Sequence, residues 1–176
     1  MKRFSGLFFL LLIAVMSPAA HAYDVRLTQA DLQQRIDENL PISQGNALFQ
    51  FHIPALTVAL LGDSRQVALD ADIHLNVLQQ WQGKAKTRIR GGLEYVARTG
   101  TFYLHEPNLD RLDISHIPEQ YLKQVKSFLK VALSKKMTAI PLYRLDKNDI
   151  QQRMTQNALK DIKIEEDAIV LQMEFF

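Results

Sequence analysis

The sequence predicts an α+β domain. The expected form is a strongly curved antiparallel four-stranded meander wrapped around a long amphipathic helix, with an N-terminal helix and a C-terminal helix–strand unit. Two observations predict it. From Phe49 to Leu104 apolar residues alternate with polar ones at the period of half-buried strands, interrupted by turn-forming residues. From Ile117 to Lys136 the spacing changes to three and four, and the apolar stripe widens enough to cover a sheet.

Residues 1–22, MKRFSGLFFLLLIAVMSPAAHA, have the three parts of a cleaved export signal. Lys2 and Arg3 form the positive start, Leu7 to Met16 the apolar run, and Ala20-His21-Ala22 the small-x-small cleavage pattern. Pro18 ends the run short of the roughly 20 apolar residues that span a bilayer. Cleavage after Ala22 is expected to leave Tyr23 to Phe176 as a single periplasmic domain.

The first expected element is a helix over Thr28 to Asn39. Thr28 is its cap, Asp31 stands where a capping partner belongs, and Leu32 and Ile36 share one face. Pro41 stops it. Phe49, Phe51 and Ile53 then alternate as a strand, Pro54 interrupts, and Leu56, Val58 and Leu60 resume in the opposite phase. A proline there fits an edge or a bulge. Gly62-Asp63 reads as a two-residue turn pairing Val58 with Val67 and Leu56 with Leu69.

The next strand is the clearest. Val67, Leu69, Ala71, Ile73, Leu75 and Val77 face one way, and Asp70, Asp72, His74 and Asn76 the other. A loop around Gln79 to Gly83 leads into Ala85, Thr87, Ile89, Gly91, Leu93 and Tyr95 inward, with Lys84, Lys86, Arg88 and Arg90 outward. Thr99-Gly100 reads as a tight turn placing Phe102 opposite Ala97 and Leu104 opposite Tyr95. Gly91-Gly92 marks a bend or bulge. After the long helix, Ile140 to Leu145 is extended around Pro141. A helix capped at Asp146 or Asn148 carries Ile150, Met154, Ala158 and Ile162. Glu165-Glu166-Asp167 turns the chain, and Ile169, Leu171, Met173 and Phe175 alternate to the end.

Composition excludes several chemistries. There is no cysteine, so disulfides, thiol catalysis, cysteine–zinc sites and lipobox anchoring are out. The formal charge of +2 resides in Lys2 and Arg3, so the exported part is neutral and no nucleic-acid partner is expected. No nucleophile elbow, phosphate-binding glycine loop or His-Glu-x-x-His occurs, and no catalytic residue and no cofactor are assigned. Asp70-x-Asp72-x-His74 carries ligating side chains on one strand face. A straight line of three spans about 13 Å at about 3.3 Å per residue, too far for one ion, so no metal is expected. The basic stripe Lys84, Lys86, Arg88 and Arg90 has the chemistry to contact phosphates or anionic lipid headgroups, but the favoured expectation is cross-strand pairing, with Arg90 opposite Asp72 and Arg88 opposite His74. His52, His74, His105 and His116 show no helical metal-binding spacing.

The opening Tyr23-Asp24-Val25-Arg26-Leu27-Thr28-Gln29-Ala30-Asp31-Leu32, the meander, the long helix and the segment Ile140-Pro141-Leu142-Tyr143-Arg144-Leu145 together resemble the YceB-like family of bacterial envelope proteins. That family is a domain of unknown function, similar to the tubular lipid-binding superfamily. The resemblance implies a lipid or other apolar ligand held between sheet and long helix, with transient membrane contact. It supplies no catalytic residue. The family's familiar member is a lipoprotein, whereas this chain has no lipobox cysteine, so tethering does not carry over. The lining implied is Leu69, Ile73, Ile89, Leu93, Tyr95, Phe102 and Leu104 from the sheet, with Tyr121, Val125, Phe128 and Ala132 from the helix. The alternative is a scaffold or protein-interaction module with a packed core and no ligand. Both remain open at the level of sequence.

Overall fold

The computed structural model describes residues 23–173. The expected signal over residues 1–22 lies outside them, as does Phe175. In chain order the elements are β1 (Tyr23–Thr28), α1 (Gln29–Asp37), β2 (Ile42–Gly45), β3 (Phe49–Leu61), β4 (Gln66–Val77), β5 (Trp81–Val96), β6 (Thr101–Ser115), α2 (Glu119–Ala139), β7 (Pro141–Arg144), α3 (Ile150–Ala158), β8 (Leu159–Ile164) and β9 (Ala168–Met173).

The expected architecture is corrected. The main sheet has six strands in the order β2-β3-β4-β5-β6-β7 and curls into a half-barrel, and a second sheet has the order β1-β9-β8. More than half of the described residues lie in strands, so the protein is mostly β rather than a four-stranded meander around a long helix. The extra strands escaped for physical reasons. β2 and β7 are each four residues long, too short for a periodicity to register. In β8, Ile162 lies four residues after Ala158 and so continues a helical phase. It also alternates with Ile164, and pairing with β9 settles the matter as strand.

α1 forms as its sequence dictates. Thr28 Oγ1 accepts from the Asp31 amide at 3.2 Å, and Asp31 Oδ2 accepts from the Thr28 amide at 2.8 Å. These satisfy two of the amides that a helix start leaves without partners. Its Leu32 and Ile36 are buried. Its polar side has a further task. β2 pairs with β3 only as far as Ile53, which leaves the rest of that edge open. Gln33 Nε2 donates to the Leu56 carbonyl at 2.7 Å, and Gln33 Oε1 accepts from the Val58 amide at 2.9 Å. One side-chain amide thus takes the place of a strand.

The expected faces hold across the core of the sheet, but the pairings differ. Val58 stands opposite Leu69 and Leu60 opposite Val67. Asp70 stands opposite Arg88 and Asp72 opposite Lys86, while Tyr95 stands opposite Phe102 and Leu93 opposite Leu104. Turn lengths explain the shifts. Gly62–Ser64 forms a 3-10 turn that ends in left-handed Arg65 at φ 53°, so the connection has four residues rather than two. The β5–β6 connection likewise runs from Ala97 to Gly100 and closes on left-handed Gly100. β4 turns into β5 through left-handed Leu78 and Gln79, earlier than expected.

Register shifts bend the strands at His52/Ala55 in β3 and near Arg90/Gly92 in β5. Such shifts increase local twist and curl a sheet. Gly91 belongs to the second. A Cβ there would stand 2.5 Å from the His105 carbonyl oxygen and 2.9 Å from Leu104 Cγ, whereas at Gly92 the nearest atom is 3.9 Å away. Gly91→Ala should therefore lower stability by about 1–3 kcal/mol through overpacking. Gly92→Ala should be neutral or stabilising by about 0.4–1 kcal/mol, because it restricts only the unfolded chain. Urea unfolding of the two single variants checks the contrast.

Candidate functional site

α2 lies against the inner face of the curled sheet. Phe128 packs on Phe49 and Phe51 of β3, with ring centroids 5.5 and 6.1 Å apart. Val125, Leu129, Ala132, Leu133 and Met137 are buried on the same side of the helix. Those positions recur at three and four residues, which is why one helix can cover the face.

All eleven residues expected to line an interior belong to this core or pack against it. Leu69, Ile73, Ile89, Phe102, Leu104, Val125 and Ala132 are buried, and Leu93, Tyr95, Tyr121 and Phe128 are half-buried. The interior is filled around the first group, with Ile73 and Phe102 at 0% exposure. Tyr95 stacks near Phe102 at 4.8 Å and donates its hydroxyl to the Gln156 carbonyl of α3 at 3.3 Å. Burial pushes the Tyr95 phenol pKa up.

One end of the helix–sheet interior finishes in an apolar, partly exposed rim. Phe49, Val77 and Trp81 stand in one register row across β3, β4 and β5, and the Leu78 amide donates to the Leu48 carbonyl at 2.7 Å. Leu48 is 53% and Trp81 41% exposed. Sequence reasoning missed this rim. Leu48 and Trp81 sit at strand ends, where alternation stops, and the one available signal was the isolated large residue beside each turn.

The outer face carries charge. Arg88 Nε and Nη2 donate to Asp70 Oδ1 and Oδ2 at 2.8 and 2.7 Å. Lys86 lies 3.7 Å from Asp72, and Arg90 pairs with Asp110. So Asp70 and Asp72 are engaged by bases on β5, and the Asp70-x-Asp72-x-His74 array converges on no single point. Lys86, Arg88 and Arg90 of the basic stripe do pair across strands, with partners displaced from those expected. Two open clefts lie elsewhere. One of about 960 Å³ runs over the outer-face ends of β2 to β5 and includes His52, His74, Lys84 and His116. The other, of about 810 Å³, lies between the C-terminal end of α1 and the segment around Tyr143, whose ring has the Arg35 guanidinium 5.8 Å from its centroid. None of the eleven expected lining residues borders either cleft. Among the described residues no helix is long and apolar enough to cross a membrane.

The Arg88 guanidinium, by hydrogen bond and by charge, holds the Asp70 carboxyl below its ordinary value. A depressed carboxyl contributes stability that is present above its unfolded value and lost as pH falls through the folded one. Asp70→Asn should therefore lower the urea midpoint near neutrality. The gap to the parent should narrow as pH drops below the ordinary aspartate value of about 3.9. Paired urea titrations across that range check it.

A family model described as protein of unknown function (DUF1439) matches residues 27–168. No curated protein matches the chain.

Proposed function

The chain belongs to the DUF1439 family, and we propose that it is a non-enzymatic periplasmic protein that takes up an acyl chain or similar apolar ligand between the curled sheet and α2. The observation that carries this reading is the partly exposed apolar rim where Phe128 of α2 meets Phe49 beside Leu48 and Trp81, with Phe51 buried beneath it. Large apolar groups left partly in water beside a continuous apolar interior gain from an apolar partner. Each buried methylene contributes about 0.8 kcal/mol, so several offset the cost of association where one polar contact would not. The resemblance to YceB-like envelope proteins and tubular lipid-binding folds supports the same reading. Contact with a bilayer would be transient, since the chain offers no cysteine for a lipid anchor.

A second reading, an envelope scaffold or protein-interaction module with no ligand, is favoured by the filled interior around Ile73, Phe102, Leu129 and Leu133. Uptake would require the half-buried aromatics of α2 to swing aside.

Titration with fluorescent fatty acids, alongside thermal melting, separates the two. Under the first reading, binding saturates, tightens with chain length and is indifferent to salt. Ala132→Trp, which overpacks the filled interior at a cost of about 1–3 kcal/mol of stability, then abolishes uptake in a variant that still folds. Absence of saturable binding in the parent would favour the module.

A further inference from the structure

The sheet's outer face, opposite α2, carries a second and different arrangement. Register aligns Ser43, His52, His74, Lys84 and Ser115 in one row across β2 to β6. The neighbouring row brings Gln50, Asn76 and Gln82 together. The 960 Å³ cleft lies over both rows.

Its charge is one-sided. The other bases of the β5 stripe are engaged, Lys86 with Asp72, Arg88 with Asp70 and Arg90 with Asp110. Lys84 has no ion-pair partner among the described residues and stands opposite His74. Among the described residues no carboxylate lines the cleft. Two of its histidines are oriented by serines. Ser43 Oγ lies 2.8 Å from His52 Nδ1, and Ser115 Oγ lies 3.1 Å from His116 Nδ1. In each ring this leaves Nε2 for another group. His116 adopts a left-handed backbone at φ 63°, an arrangement that persists where surrounding structure over-determines it. That structure is visible. The next side chain, Ile117, fills the space over Gly83, where a Cβ would stand 2.5 Å from it.

We propose that this cleft binds a phosphate group, whose oxygens Lys84 and the imidazoles of His52 and His116 meet. The same chemistry is offered by a soluble polyol phosphate and by the headgroup of a glycerophospholipid. The site lies on the opposite face from α2 and does not depend on apolar uptake there.

Calorimetric titration of the exported protein with glycerol 3-phosphate and with glycerol tests this, together with flotation on phosphatidylcholine vesicles with and without phosphatidylglycerol. Glycerol 3-phosphate should bind saturably and glycerol should not. Lys84→Gln should weaken the ester about tenfold or more, the scale of one charge-assisted hydrogen bond. Attachment to phosphatidylglycerol vesicles that free glycerol 3-phosphate blocks supports the headgroup as source. Binding of the free ester without attachment supports a soluble one. No saturable binding of ester or vesicle overturns the proposal, and so does a Lys84→Gln variant with unchanged affinity.

Discussion

Six inward side chains of β4, from Val67 to Val77, are almost wholly removed from water, and the arrangement of everything else follows from keeping them so. β4 is paired along nearly its full length on both sides, by β3 and by β5, which makes its apolar face the middle of a broad apolar surface. Something apolar must cover that surface, and α2 does. The alternate residues of β4 then have to face outward, where Asp70 and Asp72 meet bases on β5. Magnitudes decide which face leads. Full burial of one Val, Leu or Ile contributes about 1.5–3 kcal/mol, whereas an exposed ion pair contributes about 0–1 kcal/mol. Burial therefore chooses which face turns inward, and the ion pairs refine the match between neighbouring strands.

This division explains what was legible in the sequence. Faces depend only on parity along a strand, and parity can be read from Val67 to Val77 or from Ala85 to Tyr95. Pairings depend on turn length. The β3–β4 turn ends on left-handed Arg65, a residue type that carries no turn signature, so in the sequence Gly62-Asp63 reads as a complete two-residue turn. The resulting displacement is an even number of positions. Every inward residue stayed inward, while every cross-strand partner changed.

The candidate sites divide in the same way. The eleven interior residues are identified by parity and by helical spacing, and they do gather around one core. The Ser43-His52-His74-Lys84-Ser115 row was invisible, since it exists only through four correct pairings at once. β2, which supplies one end of that row, is shorter than any pattern can reveal. The second sheet was hidden for a different reason. Its strands β1 and β9 pair from opposite ends of the described chain, and no local signal records a partner so far away.

The glutamine bridge between α1 and β3 bears on how copies of this chain coexist at high concentration. A sheet whose last strand has free amides and carbonyls is a template, and a second polypeptide can extend it indefinitely. Here Leu56 and Val58 already spend those groups on Gln33, and the Leu60 amide points at Gln29 Oε1. On the opposite side, β7 covers only the first residues of β6, and further along Pro107 has no amide to offer while Arg111 and Asp113 bring charge. These two stretches of the main sheet are thus insulated by unlike means, a helix that imitates a strand along β3 and a margin on β6 that repels one. Loss of the Gln33 and Gln29 contacts alone would free those groups to template a second chain, even with Leu32 and Ile36 still seated in the core.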